Sequence, residues 1–393
     1  MSSDAQRAAG GGAGRAEEAA GSPTTGIVKP LPAEWFVPHG TNAEMRWDAL
    51  RDADGRSTVG RHVPVERFFV RNHTRTPLID PAAWRLRLFG SGLRGAPTAG
   101  RAVEFGLDDL RGLPATRIDA LIECAGNGRG FFAGQQHQAV PGTPWTLGGV
   151  GSAEWRGVRL AEVLRLAGLT PEAVDVLPSG LDPEYTVGGV DFGRVRRPLP
   201  VAKALDDVLL AYEMNGEPLT PDHGAPARLV VPGWVGIASI KWVGAVEVAD
   251  RPLHSPWNTD FYRLFGPGHP VGGSAPITGQ AVKSAFELAR DAVLDAGRTH
   301  RLHGRSWSGA APVRGVEVST DGGRRWHRAE LRDEPRRDEW TRWSFDWRPD
   351  RPGRYELRAR ATDRLGGTQP EAAVFNREGY LFDAVVVHPV TAV

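Results

Sequence analysis

Cys124 is the only cysteine among 393 residues, and so the only soft sulfur able to act as a nucleophile or hold a metal as a thiolate. It ends the run 118–123 and opens the loop Ala125-Gly126-Asn127-Gly128-Arg129. Glycines let a backbone approach a ligand closely, and a nearby guanidinium favours the thiolate. Two further segments set imidazoles and cations at the ends of apolar runs. One is Phe69-Val70-Arg71-Asn72-His73; the other, Asp222-His223-Gly224-Ala225-Pro226-Ala227-Arg228, leads through Leu229-Val230-Val231 to Lys241-Trp242. Each has a plainer reading when taken alone: a small buried hydrophobe, a solvated strand end, and a turn feeding a core strand. A Cys124 nucleophile paired with His73 or His137 is also open.

These segments need elements to position them. Gly (49) and Pro (31) are abundant, which favours strands and turns over long helices. Apolar and basic residues alternate over 84–89, as in a half-buried strand, and 118–123 reads as a strand running into Cys124. Residues 159–167 carry Leu160, Val163, Leu164 and Ala167 at helical spacing, with Gly168 as a stop. Asn215-Gly216 marks a tight turn after 208–212. The stretch 250–280 is rich in Pro and Gly and reads as an inter-domain crossing. Beyond it, alternation at 313–320, 341–347 and 355–361, with the turn Asp321-Gly322-Gly323, predicts an immunoglobulin-like sandwich.

The bulk numbers exclude several classes. Lys and Arg total 48 against 47 Asp and Glu, so no net field draws the chain to nucleic acid. No apolar run approaches the roughly 18 residues of a membrane span. One cysteine allows no internal disulfide and suits a reducing compartment, so the cytoplasm is expected. HExxH, GxxxxGK[ST], GxSxG and a helix-opening GxGxxG are absent. Residues 1–26, which contain no aromatic or large aliphatic residue after Met1, are expected to form a disordered tail.

Taken together, the motifs resemble those of the sulfite oxidase family: FVRNH at 69–73, CAGNGR at 124–129, Trp145 and Trp155, EMNG at 213–216, DHGAPAR at 222–228, KW at 241–242, WSG at 307–309 and DGG at 321–323 with Trp326. The resemblance implies an α+β architecture. A mixed α/β molybdopterin-binding domain over 27–275 would be followed by an immunoglobulin-like dimerisation domain over 276–393. It also implies a molybdenum cofactor with Cys124 as the protein's metal ligand. Cofactor contacts carried over are Phe69, Arg71, Asn72, His73, Asp182, His223, Arg228, Ser239, Ile240 and Lys241. At the substrate end, Arg71 and Arg129 match the family's oxyanion-binding arginines, Trp145 a pocket tryptophan, and Tyr262 a tyrosine that hydrogen-bonds an oxygen on the metal.

The implied reaction is oxygen-atom transfer, with sulfite as substrate, an external electron acceptor, no heme and a homodimeric assembly. A reductase of nitrate or of an S- or N-oxide would use the same metal site. One departure stands out. Where the family carries Asn-x-Arg-Gly near the C-terminus, this chain has Asn376-Arg377-Glu378-Gly379, so Glu378 takes the arginine's place and Arg377 is displaced by one. If the segment is a strand, that slip turns the side chain to the other face, and Arg377 serves the site only through a bulge or shifted register.

Overall fold

A computed structural model of the chain describes residues 26–52 and 55–393. The tail expected over 1–26 lies outside them except for Gly26, whose carbonyl accepts a hydrogen bond from the Thr76 N–H at 2.8 Å. Strands dominate, and the α-helices among the described residues run four to seven residues.

Two five-stranded sheets form the first part of the molecule. In one, Val243–Ala249 lies between Asp175–Gly180 and Leu86–Phe89, antiparallel to the former and parallel to the latter. In the other, Thr116–Glu123, Val150–Arg159 and Leu209–Met214 run side by side, and Arg228–Val230 pairs with the last of them. The register Ile118↔Trp155 through Glu123↔Val150 carries the backbone straight to Cys124, whose N–H donates to Gly149 O at 2.9 Å. Apolar spacing explains the helix Leu160–Leu166, which buries Leu160, Val163 and Leu164; Gly168 at φ +90° then ends the turn. Asn215 and Gly216 both take positive φ, the conformation that a two-residue hairpin needs before Glu217–Pro218.

The second part stacks two further sheets over a core containing Phe286, Val316, Trp343 and Leu357. One holds Lys283–Phe286, His300–Trp307, Thr341–Trp347 and Glu330–Leu331. The other includes Val313–Ser319, Gly353–Asp363 and Val387–Ala392. The three alternating runs of the sequence are thus strands of one sandwich, and the Asp321 carboxylate accepts from Arg324 and Arg325 N–H groups to hold the turn at Gly322-Gly323.

The two parts share a core. Trp307 stacks on Trp47 with ring centres 6.0 Å apart, and Arg305, wholly buried, donates to Val59 O and Gly60 O while pairing with Glu287 at 2.6 Å. The crossing over 250–280 contains the short helix Pro256–Thr259 and no strand.

Candidate active site: a cation-lined cavity at Cys124

Cys124 opens onto a partly enclosed cavity. Twelve of the fifteen residues singled out in the sequence line it: Phe69, Arg71, Asn72, His73, Cys124, Asp182, His223, Arg228, Ser239, Ile240, Lys241 and Tyr262. Three separate stretches of chain meet there: Cys124 follows the strand Thr116–Glu123, Phe69–His73 runs on from the Ala43↔Val70 bridge, and 222–241 contains the strand Arg228–Val230.

Cations lead the electrostatics. Arg228 is buried, and its fork donates to the carbonyls of His223 and Ser239, each at 3.1 Å. The Lys241 ammonium donates to Asp222 O at 2.8 Å and to the Asn72 side chain. The Arg71 guanidinium meets the His73 ring. No carboxylate among the described residues lies within ion-pair distance of Arg71, Arg228 or Lys241. Burial and the neighbouring Arg228 pull the Lys241 pKa well below its usual value, and burial alone lowers that of Arg228 to about 9. These shifts measure the cost of holding positive charge without a counter-ion, a cost that an anionic ligand would remove.

Imidazoles and one carboxyl complete the wall. Burial together with Arg71 and Lys241 keeps His73 neutral, and burial with Lys29 and Lys241 does the same for His223. Asp182 is 2 % exposed, and burial pushes its pKa up to about 6. Its Oδ1 has no hydrogen-bond partner. Such an orphan is costly, and it fits a ligand that offers N–H groups at this point. The site therefore supplies a thiol, cations suited to a phosphate and an acceptor suited to a heterocycle, the donor set that a phosphorylated pterin carrying a metal requires.

Tyr262 sits in the left-handed region at φ +56°, held by its carbonyl, which accepts from Ile277 N–H at 2.7 Å. A buried non-glycine residue in that conformation is held there by its surroundings. Its phenol reaches the His73 Nε2 at 3.4 Å, and its ring stacks on Tyr380 with centres 5.0 Å apart. Burial raises the pKa of both phenols, so they stay protonated.

The remaining three sequence-derived residues lie outside the cavity lining. Arg129 stands beside it: its guanidinium faces the Tyr380 ring at 5.4 Å and donates to Thr143 O, while its Nε is buried without a partner. Trp145, 1 % exposed, is a core aromatic packed edge-on against Phe69. Arg377 is exposed. Its segment is a turn rather than a strand, because the Asn376 side chain binds both Tyr380 N–H and Tyr380 O; Arg377 N–H goes to Phe265 O, and its side chain is left outside the cavity. His137 ends the helix Gly130–Gln136 in the left-handed conformation, is exposed and lies outside the cavity lining that holds Cys124 and His73.

Sequence reasoning missed Tyr380, which follows the noted Asn376–Gly379 stretch, and Arg197. Arg197 is 1 % exposed and donates to Trp257 O and Ile277 O, bracketing the segment that bears Tyr262. It also missed Lys29, whose ammonium sits among backbone carbonyls 3.5 Å from His223 Nε2 and whose pKa burial lowers to about 7.

Residues 73–257 match the family described as the oxidoreductase molybdopterin binding domain, and residues 279–388 the Mo-co oxidoreductase dimerisation domain. The chain is 34% identical over 340 residues to sulfite oxidase of Gallus gallus, covering 82% of this chain and 71% of that protein. Against the mitochondrial sulfite oxidase of Homo sapiens the identity is 37% over 341 residues, covering 82% of this chain and 60% of that protein. The chain thus spans about 60% of the length of its mammalian relatives. The crystal structure of the sulfane dehydrogenase SoxCD from Paracoccus pantotrophus matches with a TM-score of 0.75 at 27% identity, covering 92% of this chain and 87% of that chain.

Proposed function

Because the chain belongs to the sulfite oxidase family of molybdopterin-dependent oxidoreductases, we propose that it oxidises sulfite and water to sulfate, two protons and two electrons, the electrons passing to an external acceptor. The observation that carries this reading is the single thiol set among cations that, among the described residues, have no carboxylate partner. When bound, the molybdenum pterin supplies the oxygen-atom and electron-transfer chemistry.

The chain's own residues have separable tasks. Cys124 would hold the metal, Arg228 and Lys241 the phosphate, and the free Asp182 oxygen the pterin ring's N–H groups. Arg71 and Arg129 would draw in the oxyanion by charge, and the Tyr262 phenol, kept protonated by burial, would donate to an oxygen on the metal. Phe68 and Phe69 close the lining against water. A homodimer formed through the sandwich is part of the same proposal.

Nitrate reduction on the same site is the competing reading, favoured by a 30% identity over 292 residues to the nitrate reductase [NADH] of Ulva prolifera. Steady-state assays on molybdenum-loaded protein separate the two. Sulfite-dependent reduction of ferricyanide or a cytochrome is expected, with little nitrate consumed from reduced viologen; the reverse pattern would assign a reductase.

A further inference from the structure

Glu123 immediately precedes Cys124, and its carboxylate is 2 % exposed. Every partner it has in the structure is a fixed donor: Lys283 Nζ at 2.8 Å, Trp307 Nε1 at 3.0 Å and Asn127 Nδ2 at 2.9 Å. Lys283, equally buried, also donates to Asn127 O at 2.7 Å, and Asn127 Oδ1 accepts from Gly149 N–H at 3.0 Å. Two of these groups, Lys283 and Trp307, lie in the matched dimerisation domain; Glu123, Asn127 and Cys124 lie in the matched molybdopterin-binding domain. A second tie runs parallel. Leu381 N–H donates to Ala125 O at 2.8 Å, and Phe382 packs so closely on Gly128 that a Cβ there would come within 3.1 Å of it.

We propose that Lys283 and Trp307 are positioning residues for Cys124. The sandwich reaches across the domain boundary and fixes the loop 124–129, so the buried thiol is held in one protected position in the cavity wall only while that network is closed. The inference rests on the family reading only for the use of the thiol; the fixing of the loop is independent of any bound cofactor. A buried ion pair with three further hydrogen bonds contributes little net stability compared with well-packed apolar replacements, yet it specifies one arrangement of the groups it joins. The loop is short and glycine-rich; past Gly149 the backbone beside it binds it through Gly128 N–H to Thr146 O and Gly130 N–H to Trp145 O, so the ties from the sandwich fix its Cys124 end.

The chain's single cysteine makes the test specific, because any thiol label reports on Cys124 alone. The rate of alkylation by iodoacetamide is measured at one pH on the full chain prepared without cofactor. Three variants are compared with wild type: the charge-neutral double variant Glu123→Gln/Lys283→Met; Trp307→Phe, which removes one hydrogen bond and keeps the stack on Trp47; and Arg61→Gln, which loosens the Arg61–Glu339 pair elsewhere. The expected result is roughly tenfold faster labelling in the double variant, about two- to threefold in Trp307→Phe and no change in Arg61→Gln, since opening a local tie raises labelling only where it holds the thiol. Labelling of the double variant within about twofold of wild type overturns the proposal, as does equal acceleration in Arg61→Gln, which would mean that general loosening of the fold exposes the thiol. Should the double variant fail to fold, Trp307→Phe decides alone: acceleration supports the tether and a wild-type rate rejects it. A failure here leaves the oxidoreductase reading intact, because molybdenum content and sulfite turnover are read on wild-type protein.

Discussion

Glu378 is half-buried beside Tyr380, where its charge helps to raise that phenol's pKa, whereas Arg377 points to solvent. A carboxylate near an oxyanion pocket repels substrate by about 1 kcal/mol at an effective dielectric typical of a protein surface, and that appears as binding rather than turnover. Glu378→Gln should therefore lower the sulfite KM about fivefold with kcat nearly unchanged, and Arg377→Ala should shift KM by less than about twofold. Steady-state kinetics at fixed ionic strength measures both. Asp182 gives a pH-dependent prediction in cofactor-free protein. Its folded pKa of about 6 lies above the ordinary carboxyl value of 3.8, so its contribution to stability is full below pH 3.8 and is lost as pH rises through 6. Asp182→Asn should then gain about 3 kcal/mol over wild type between pH 4 and pH 7 in urea unfolding, and none below pH 4. The residues that gather at the cavity were legible because short motifs name them. Trp145 and Arg377 were placed by pattern alone: one proves to be core and the other surface, since neither burial nor the turn made by Asn376 is written in local spacing.

Strands with regular alternation were readable as elements: Thr341–Trp347 stands where its alternation puts it, and the run 118–123 lies within the strand Thr116–Glu123. The crossing over 250–280 was legible only as irregular. Its conformation comes from a distant cation: Arg197, with no motif around it, holds Trp257 O and Ile277 O and so sets the left-handed Tyr262 between them. Arg197→Ala would leave two buried carbonyls without donors. It should cost about 2–4 kcal/mol in urea unfolding, with a higher sulfite KM as Tyr262 loses its bracket. Arg197→Lys, able to satisfy one carbonyl, should recover part of both effects. Equal behaviour of the two variants would show that the fork geometry is unimportant.

At the scale of the whole molecule, the cavity and the sandwich are not independent pieces. Ala285, Trp307, Trp340 and Phe382 from the second part belong to the same apolar cluster as Phe69, Cys124 and Trp155. Removing residues from about 281 onward would uncover that cluster, so the remainder should aggregate, whereas the intact chain should sediment at twice its 42.5 kDa mass. Analytical ultracentrifugation of both proteins is the check, and a truncated chain that stays soluble and dimeric would place the interface elsewhere. The two-part order of the fold could be read from the change in pattern near residue 280, but the shared core could not, because contacts between distant segments leave no local period. The central claim is that Cys124 holds the metal of a molybdenum site. Molybdenum-edge X-ray absorption, on wild type and on Cys124→Ser loaded in the same host, addresses it directly. The account predicts comparable molybdenum per chain in both, since Arg228, Lys241 and Asp182 remain, with one sulfur neighbour fewer in the variant and turnover lost. Identical sulfur coordination in the two proteins, or wild type that takes up no molybdenum, would contradict it.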